Sequence, residues 1–195
     1  MTHWAEIALR IAGWRLVGPA PAIRRCVVVF APHTSNWDFP LLILVRLTCD
    51  HALHYLGKSE LFAGAFGWFF RMLGGIPVQR QEQQQLVRDS VQRFLDHTDL
   101  WLAMSPEGTR ARRDHWKTGF YHIALGANVP VLLAFIDAKR RECGFGKLVH
   151  LTGDSRRDLA TIRDFYASKV GIRPELAGEI RFKDQVAEEH NAAER

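Results

Sequence analysis

Two periods of apolar residues alternate along the chain. Short apolar runs predict buried strands at Val27–Phe30, Ile76–Val78, Leu100–Met104 and Val129–Ile136. His51–Gly57 alternates loosely and Lys147–Thr152 follows a turn at Arg140–Cys143, so both read as further strands. Between these runs the spacing becomes helical. Trp4, Ile7, Ala8, Ile11 and Trp14 share one face over residues 3–16. Phe39–Cys49 is strongly apolar and predicts a buried helix. Ser59-Glu60 opens the next helical stretch, and Leu61–Leu73 is the most aromatic segment, with Arg71 as its single charge. Its small residues Gly64, Ala65 and Gly67 suggest room for a chain to lie against it.

Residues 82–97 are polar and Gln-rich, with Leu86, Val87, Val91, Phe94 and Leu95 on one stripe, and predict a surface helix without chemistry. Further helices are predicted at Lys117–Ala127 and Asp154–Ser168. Gly18-Pro19-Ala20-Pro21 reads as a hinge and Gly74-Gly75 as a helix end. Pro77 marks its strand as an edge or an irregular one.

This alternation predicts an α/β layered domain: a mostly parallel or mixed central sheet flanked by helices. A chain of 195 residues fits one domain. The expected division is an N-terminal amphipathic helix over 1–18, the main domain over 22–183 and a charged tail over 184–195. The longest uncharged run, Thr118 to Ile136, approaches membrane-spanning length. Asn128-Val129-Pro130 breaks it, so it reads as a helix followed by a strand.

The formal net charge of +5 favours anionic partners. No DNA- or RNA-binding motif and no run of Lys/Arg accompanies it, so lipid headgroups and phosphate are favoured over nucleic acid. The 3 Cys, at 26, 49 and 143, show no C-x2-C spacing, which argues against zinc and against a disulfide framework. Reduced thiols and the lack of a recognisable signal peptide lead to an expected cytoplasmic location. His51 and His54 have no acid or thiol cluster beside them and read as solvated strand-end residues.

The chemistry gathers where strands end. After Val27–Phe30 come Pro32, His33 and, five positions later, Asp38. Ser35 and Asn36 between them are good helix N-caps. Along one helix, five steps turn the chain by about 500°, which leaves the two side chains about 140° apart. They meet only across a strand–turn–helix. A His with a carboxylate on one ring nitrogen is suited to take a proton from a hydroxyl. After Leu100–Met104 comes Ser105-Pro106-Glu107-Gly108-Thr109-Arg110, with Arg112, Arg113 and Lys117 close behind.

Four blocks in this order, H-x4-D at His33 and Asp38, G-x4-R at Gly75 and Arg80, P-E-G-T-R at 106–110 and V-P-V at 129–131, resemble the glycerolipid acyltransferase family of the PlsC type. The resemblance covers roughly residues 25 to 140. Pro32 stands where the family usually has Asn, and Ser105 where it has Phe. The resemblance implies a glycerol-3-phosphate acyltransferase-like fold over 22–183. It implies acyl transfer from a thioester, acyl-CoA or acyl-carrier protein, to the hydroxyl of a lysophospholipid such as 1-acyl-sn-glycerol-3-phosphate. His33 would act as base and Asp38 would orient it. Arg80 and Arg110 would hold the acceptor phosphate, with Lys58, Arg112 and Lys117 behind them. Glu107, Gly108 and Thr109 would shape the acceptor pocket, Glu107 either accepting an acceptor hydroxyl or holding Arg110.

No metal or redox cofactor is implied, since the thioester is a substrate. The expected partners are the two substrates, the membrane surface and, as one option for the donor, acyl-carrier protein. The helix at 3–16 reads either as an ordinary packed helix or as an interfacial one, which would make the protein peripheral at the cytoplasmic face. Two other readings of the same residues remain: a thioester or phospholipid hydrolase using the His-Asp pair on water, and a non-catalytic membrane-binding module.

Overall fold

The structure, a computed structural model, describes residues 3–79 and 82–185. Among them a seven-stranded sheet forms the middle layer. Its strands are β1 (Arg15–Val17), β2 (Arg25–Ala31), β3 (Leu53–Lys58), β4 (Gly75–Val78), β5 (Leu100–Met104), β6 (Val131–Asp137) and β7 (Glu142–Val149). They lie in the order β1-β7-β6-β2-β5-β3-β4. Every neighbouring pair is parallel except β6 and β7, which form an antiparallel hairpin. The sheet is therefore mixed and mostly parallel.

Among the described residues six α-helices connect and cover it: α1 (His3–Ile11), α2 (Asp38–Leu47), α3 (Gly67–Met72), α4 (Gln83–Asp96), α5 (Gly119–Gly126) and α6 (Ser155–Tyr166). Alternate residues of β2 serve opposite faces, as the two-residue repeat of a strand requires. Val27, Val29 and Ala31 pack with Phe94 of α4, Phe120 and Ile123 of α5 and Ile162 of α6. Cys26, Val28 and Phe30 pack with Leu9 of α1 and with Leu41 and Val45 of α2. Burying each such Val or Leu is worth roughly 1.5–3 kcal/mol. β2 and β5, packed on both faces, thus form a rigid base for the loops at their ends.

Several elements depart from the reading of the sequence. The helix predicted over 3–16 stops at Ile11, where Gly13 adopts a left-handed φ of +77°, and Arg15–Val17 continues as the edge strand β1. Three residues are too few to show a strand period; β1 exists because β7 offers it an edge. The turn at 140–143 is tighter than predicted. Arg141 turns with φ +53°, and β7 starts at Glu142 instead of Lys147.

The aromatic stretch 61–73 is not one helix. A short 3-10 turn, Ser59–Phe62, precedes α3. Gly67 does not leave room for a ligand either, since a Cβ there would stand 2.1 Å from the Phe62 carbonyl oxygen. Neither Ser35 nor Asn36 caps α2; Trp37 occupies that position, without a side-chain cap. Pro77 lies in β4, at the edge of the sheet.

Candidate active site

β2 and β5 run side by side and parallel, with Val29 opposite Met104. Chain segments leave β2 and β5 toward opposite sides of the sheet: β2 leads toward β3, and β5 toward β6. A crevice opens at the carboxyl ends of strands where the order reverses in this way. His33 lies two residues past the end of β2, after a cis Ala31–Pro32 bond, and Glu107 lies three past the end of β5.

Asp38 is the first residue of α2 and is completely buried. Its Oδ2 stands 3.0 Å from His33 Nδ1 and accepts the N–H of Ser35 at 2.8 Å. The imidazole and carboxylate are close enough for an ion pair, but Nδ1 has no acceptor along its N–H line, so the contact is one of proximity rather than a regular hydrogen bond. With Nδ1 buried against the carboxylate, Nε2 is the ring atom left for a substrate. Phe30 packs edge-on to the ring with centroids 6.2 Å apart. The turn is braced locally by the Trp37 N–H, which donates to Ser35 Oγ at 3.2 Å.

His33 lies in the wall of a cavity of about 490 Å³. Phe39, Leu42, Tyr55, Leu86, Val87 and Phe120 give it an apolar side. Lys58, Thr109, Arg110 and Lys117 border it as the polar side. Of the site residues read from the sequence, the fold thus brings His33, Lys58, Gly108, Thr109, Arg110 and Lys117 to one cavity, with Asp38 behind the imidazole. Arg112 is exposed and is not part of the wall. Arg80 lies outside the described residues. Lys58 is paired with Glu60 at 2.8 Å on the surface.

The loop after β5 is closed by its own backbone. The Lys117 N–H donates to the Pro106 carbonyl at 2.8 Å, and Thr109 Oγ1 accepts the Ala111 N–H at 3.3 Å. Gly108 has φ +64°, and a Cβ there would meet the Lys117 stem at 3.0 Å. Glycine is needed at this position for its left-handed backbone and for that side chain. Glu107 is 5% exposed and does not line the cavity. Its Oε1 accepts the backbone N–H of His33 at 2.9 Å. Burial pushes its carboxyl up to about 7; the His33 N–H opposes that rise and the charge of Asp38 adds to it.

Other supports of the site were not legible in the sequence. Thr34 is buried and its Oγ1 accepts the Arg173 N–H at 3.1 Å. Gly171 fits so closely that a Cβ would stand 2.7 Å from that same Oγ1. The buried Tyr166 hydroxyl lies 2.9 Å from the carbonyls of Val29 and Ala134, beneath the strand ends. All three contacts span more than thirty residues of sequence or join loops without a motif, so no local pattern announces them. α4 also differs from its reading as a bare surface helix, since Leu86 and Val87 line the cavity.

The sequence profile of the Acyltransferase family matches residues 17–136, which contain every residue of the cavity wall. The chain belongs to the acyltransferase family. It is 30% identical over 106 residues to a 1-acyl-sn-glycerol-3-phosphate acyltransferase of Streptococcus pneumoniae. That match takes in 54% of this chain and 39% of the relative, so the chain spans well under half of that protein. The fold resembles the crystal structure of PlsC, a 1-acyl-sn-glycerophosphate acyltransferase of Thermotoga maritima, with a TM-score of 0.59 and 20% identity. The superposition covers 85% of this chain and 74% of the other. In this chain burial holds the three thiols protonated. Burial pushes Cys49 up to about 11 and Cys143 to about 12, and Cys26 is raised further still. Such thiols are poor nucleophiles at neutral pH.

Proposed function

We propose that the chain transfers a fatty acyl group from a thioester to the hydroxyl of a lysophospholipid, foremost 1-acyl-sn-glycerol-3-phosphate. The observation that carries this reading is His33 in the cavity wall with its Nδ1 against the buried Asp38. The acceptor hydroxyl meets Nε2. Its oxygen attacks the thioester carbonyl while His33 takes the proton. The carbon–oxygen bond forms, the carbon–sulfur bond breaks, and the proton passes from His33 to the departing thiolate. Asp38 offsets the charge of the imidazolium formed on the way. The acceptor attacks directly, so no acyl-enzyme is needed. The apolar wall around Phe39, Leu42 and Val87 suits an acyl chain, and Arg110, Lys117 and Lys58 suit a phosphate.

The acceptor of this reaction resides in a bilayer. No helix among the described residues is long and apolar enough to cross one. A peripheral seat on the cytoplasmic face accounts for access. Two exposed apolar features support it: Trp4, Ile7 and Ile11 on α1, and Phe66, Trp68 and Met72 at α3. Leu61, on the turn leading into α3, also lines the cavity, so the aromatic ridge borders the site.

Purified protein incubated with acyl-CoA or acyl-carrier-protein thioester and a panel of lysolipids, followed by lipid analysis, tests the reaction. The expected product is a diacyl phospholipid formed only from phosphate-bearing acceptors. Release of free fatty acid at the same rate without an acceptor would make the protein a hydrolase instead.

A further inference from the structure

We infer that Glu107 is a positioning residue that acts on the base through the backbone of His33, and that it does not bind the acceptor. The inference rests on His33 being the base. Ser105, Pro106 and Gly108, on either side of Glu107, line the cavity, whereas Glu107 itself does not. Its side chain is almost fully buried. Its one described hydrogen bond joins the loop after β5 to the loop after β2, across 74 residues of sequence. Among the described residues no ion pair joins it to Arg110. Glu107 therefore takes neither of the two roles open to it from the sequence alone.

The loop bearing His33 is held from three directions. Asp38 holds it from its own helix through the Ser35 N–H. The segment after α6 holds it through the Arg173 N–H on Thr34. Glu107 holds the His33 residue itself, from the loop after β5 that also carries Arg110. This third tie fixes the distance between the base and the loop that meets the phosphate. Two charged or titratable groups other than His33 face Glu107: the Asp38 carboxylate, and the Tyr166 phenol, whose proton it helps to retain. The Asp38 charge disfavours a second negative charge there. The tie needs only an acceptor oxygen, and a neutral side chain supplies one.

Steady-state kinetics of Glu107→Ala, Glu107→Gln and His33→Ala, each with its thermal midpoint, test the inference. Glu107→Ala should lower kcat on the order of 10- to 100-fold with the KM for the phosphate-bearing lysolipid changed less than about 3-fold, because misplacing a base by about an ångström costs that much. Glu107→Gln, which keeps an acceptor oxygen, should recover kcat to within about 5-fold of the parent, a tolerance of about 1 kcal/mol. Glutamine as damaging as alanine in a protein that melts normally would overturn the inference, as would a loss confined to acceptor KM. Full activity of His33→Ala would instead overturn the reaction reading on which it rests.

Discussion

His33 Nδ1 and the wholly buried carboxylate of Asp38 stand 3.0 Å apart, and the same carboxylate oxygen accepts the Ser35 N–H. One oxygen thus serves both the base and the turn that presents it. Asp38→Asn keeps an oxygen for Ser35 and loses the charge that steadies the imidazolium. Turnover should fall by about 10³- to 10⁴-fold, the loss seen when such a carboxylate is neutralised, while the thermal midpoint changes little. A stopped assay with labelled acyl-CoA, beside a melting curve, checks both halves.

Arg110 lies exposed at the mouth of the cavity. A phosphate contact there is partly hydrated, so its loss costs less than in a closed pocket. Arg110→Ala should raise acceptor KM on the order of tenfold with donor KM unchanged. The same variant tested on a lysolipid lacking the phosphate should behave like the parent.

Gly171 touches the base loop from outside every motif. A methyl group there would come within 2.7 Å of Thr34 Oγ1 and 3.2 Å of Pro32 Cβ. Gly171→Ala should therefore displace the His33 loop, reducing kcat on the order of tenfold or more at little cost to acceptor KM. Single-turnover measurements separate this from slower product release.

Glu107 gives stability a pH dependence of definite sign. Its carboxyl titrates near 7 in the folded chain, above the ordinary value of 4.5. Between those two values the folded chain binds more protons than the unfolded one, so stability falls as pH rises from 4.5 to 7 and levels off above. The contribution is on the order of 3 kcal/mol. Urea unfolding of the parent and of Glu107→Gln across this range should show a shallower decline in the variant.

The exposed ridge at α3 offers a test of membrane contact that leaves the fold alone. Removing residues 1–17 would not serve, since Ala5 and Leu9 are in the core and Arg15–Val17 is strand β1. Trp68 and Met72 are 65% and 61% exposed. Trp68→Glu with Met72→Glu should reduce sedimentation with anionic vesicles severalfold and leave activity on detergent-dispersed lysolipid intact. Binding of the parent should weaken with added salt. Equal sedimentation of parent and variant would place the contact elsewhere.

What the sequence determined by itself lies in local pattern. The run Leu100–Met104 is strand β5 residue for residue, because an apolar pentamer between polar flanks has one low-energy place in a layered fold. The His33–Asp38 spacing required a strand, a turn and a helix start, and the chain supplies them in that order. Tertiary structure decided what depends on distant partners. β1 needs the edge of β7, and α4 became part of the cavity only where β5 returned between β2 and β3. The role of Glu107 turned on which neighbour lay within 2.9 Å, and that neighbour is a backbone N–H, present at nearly every residue and therefore silent in sequence. Gly171, Thr34 and Tyr166 are silent for the same reason: packing against a loop leaves no spacing to read.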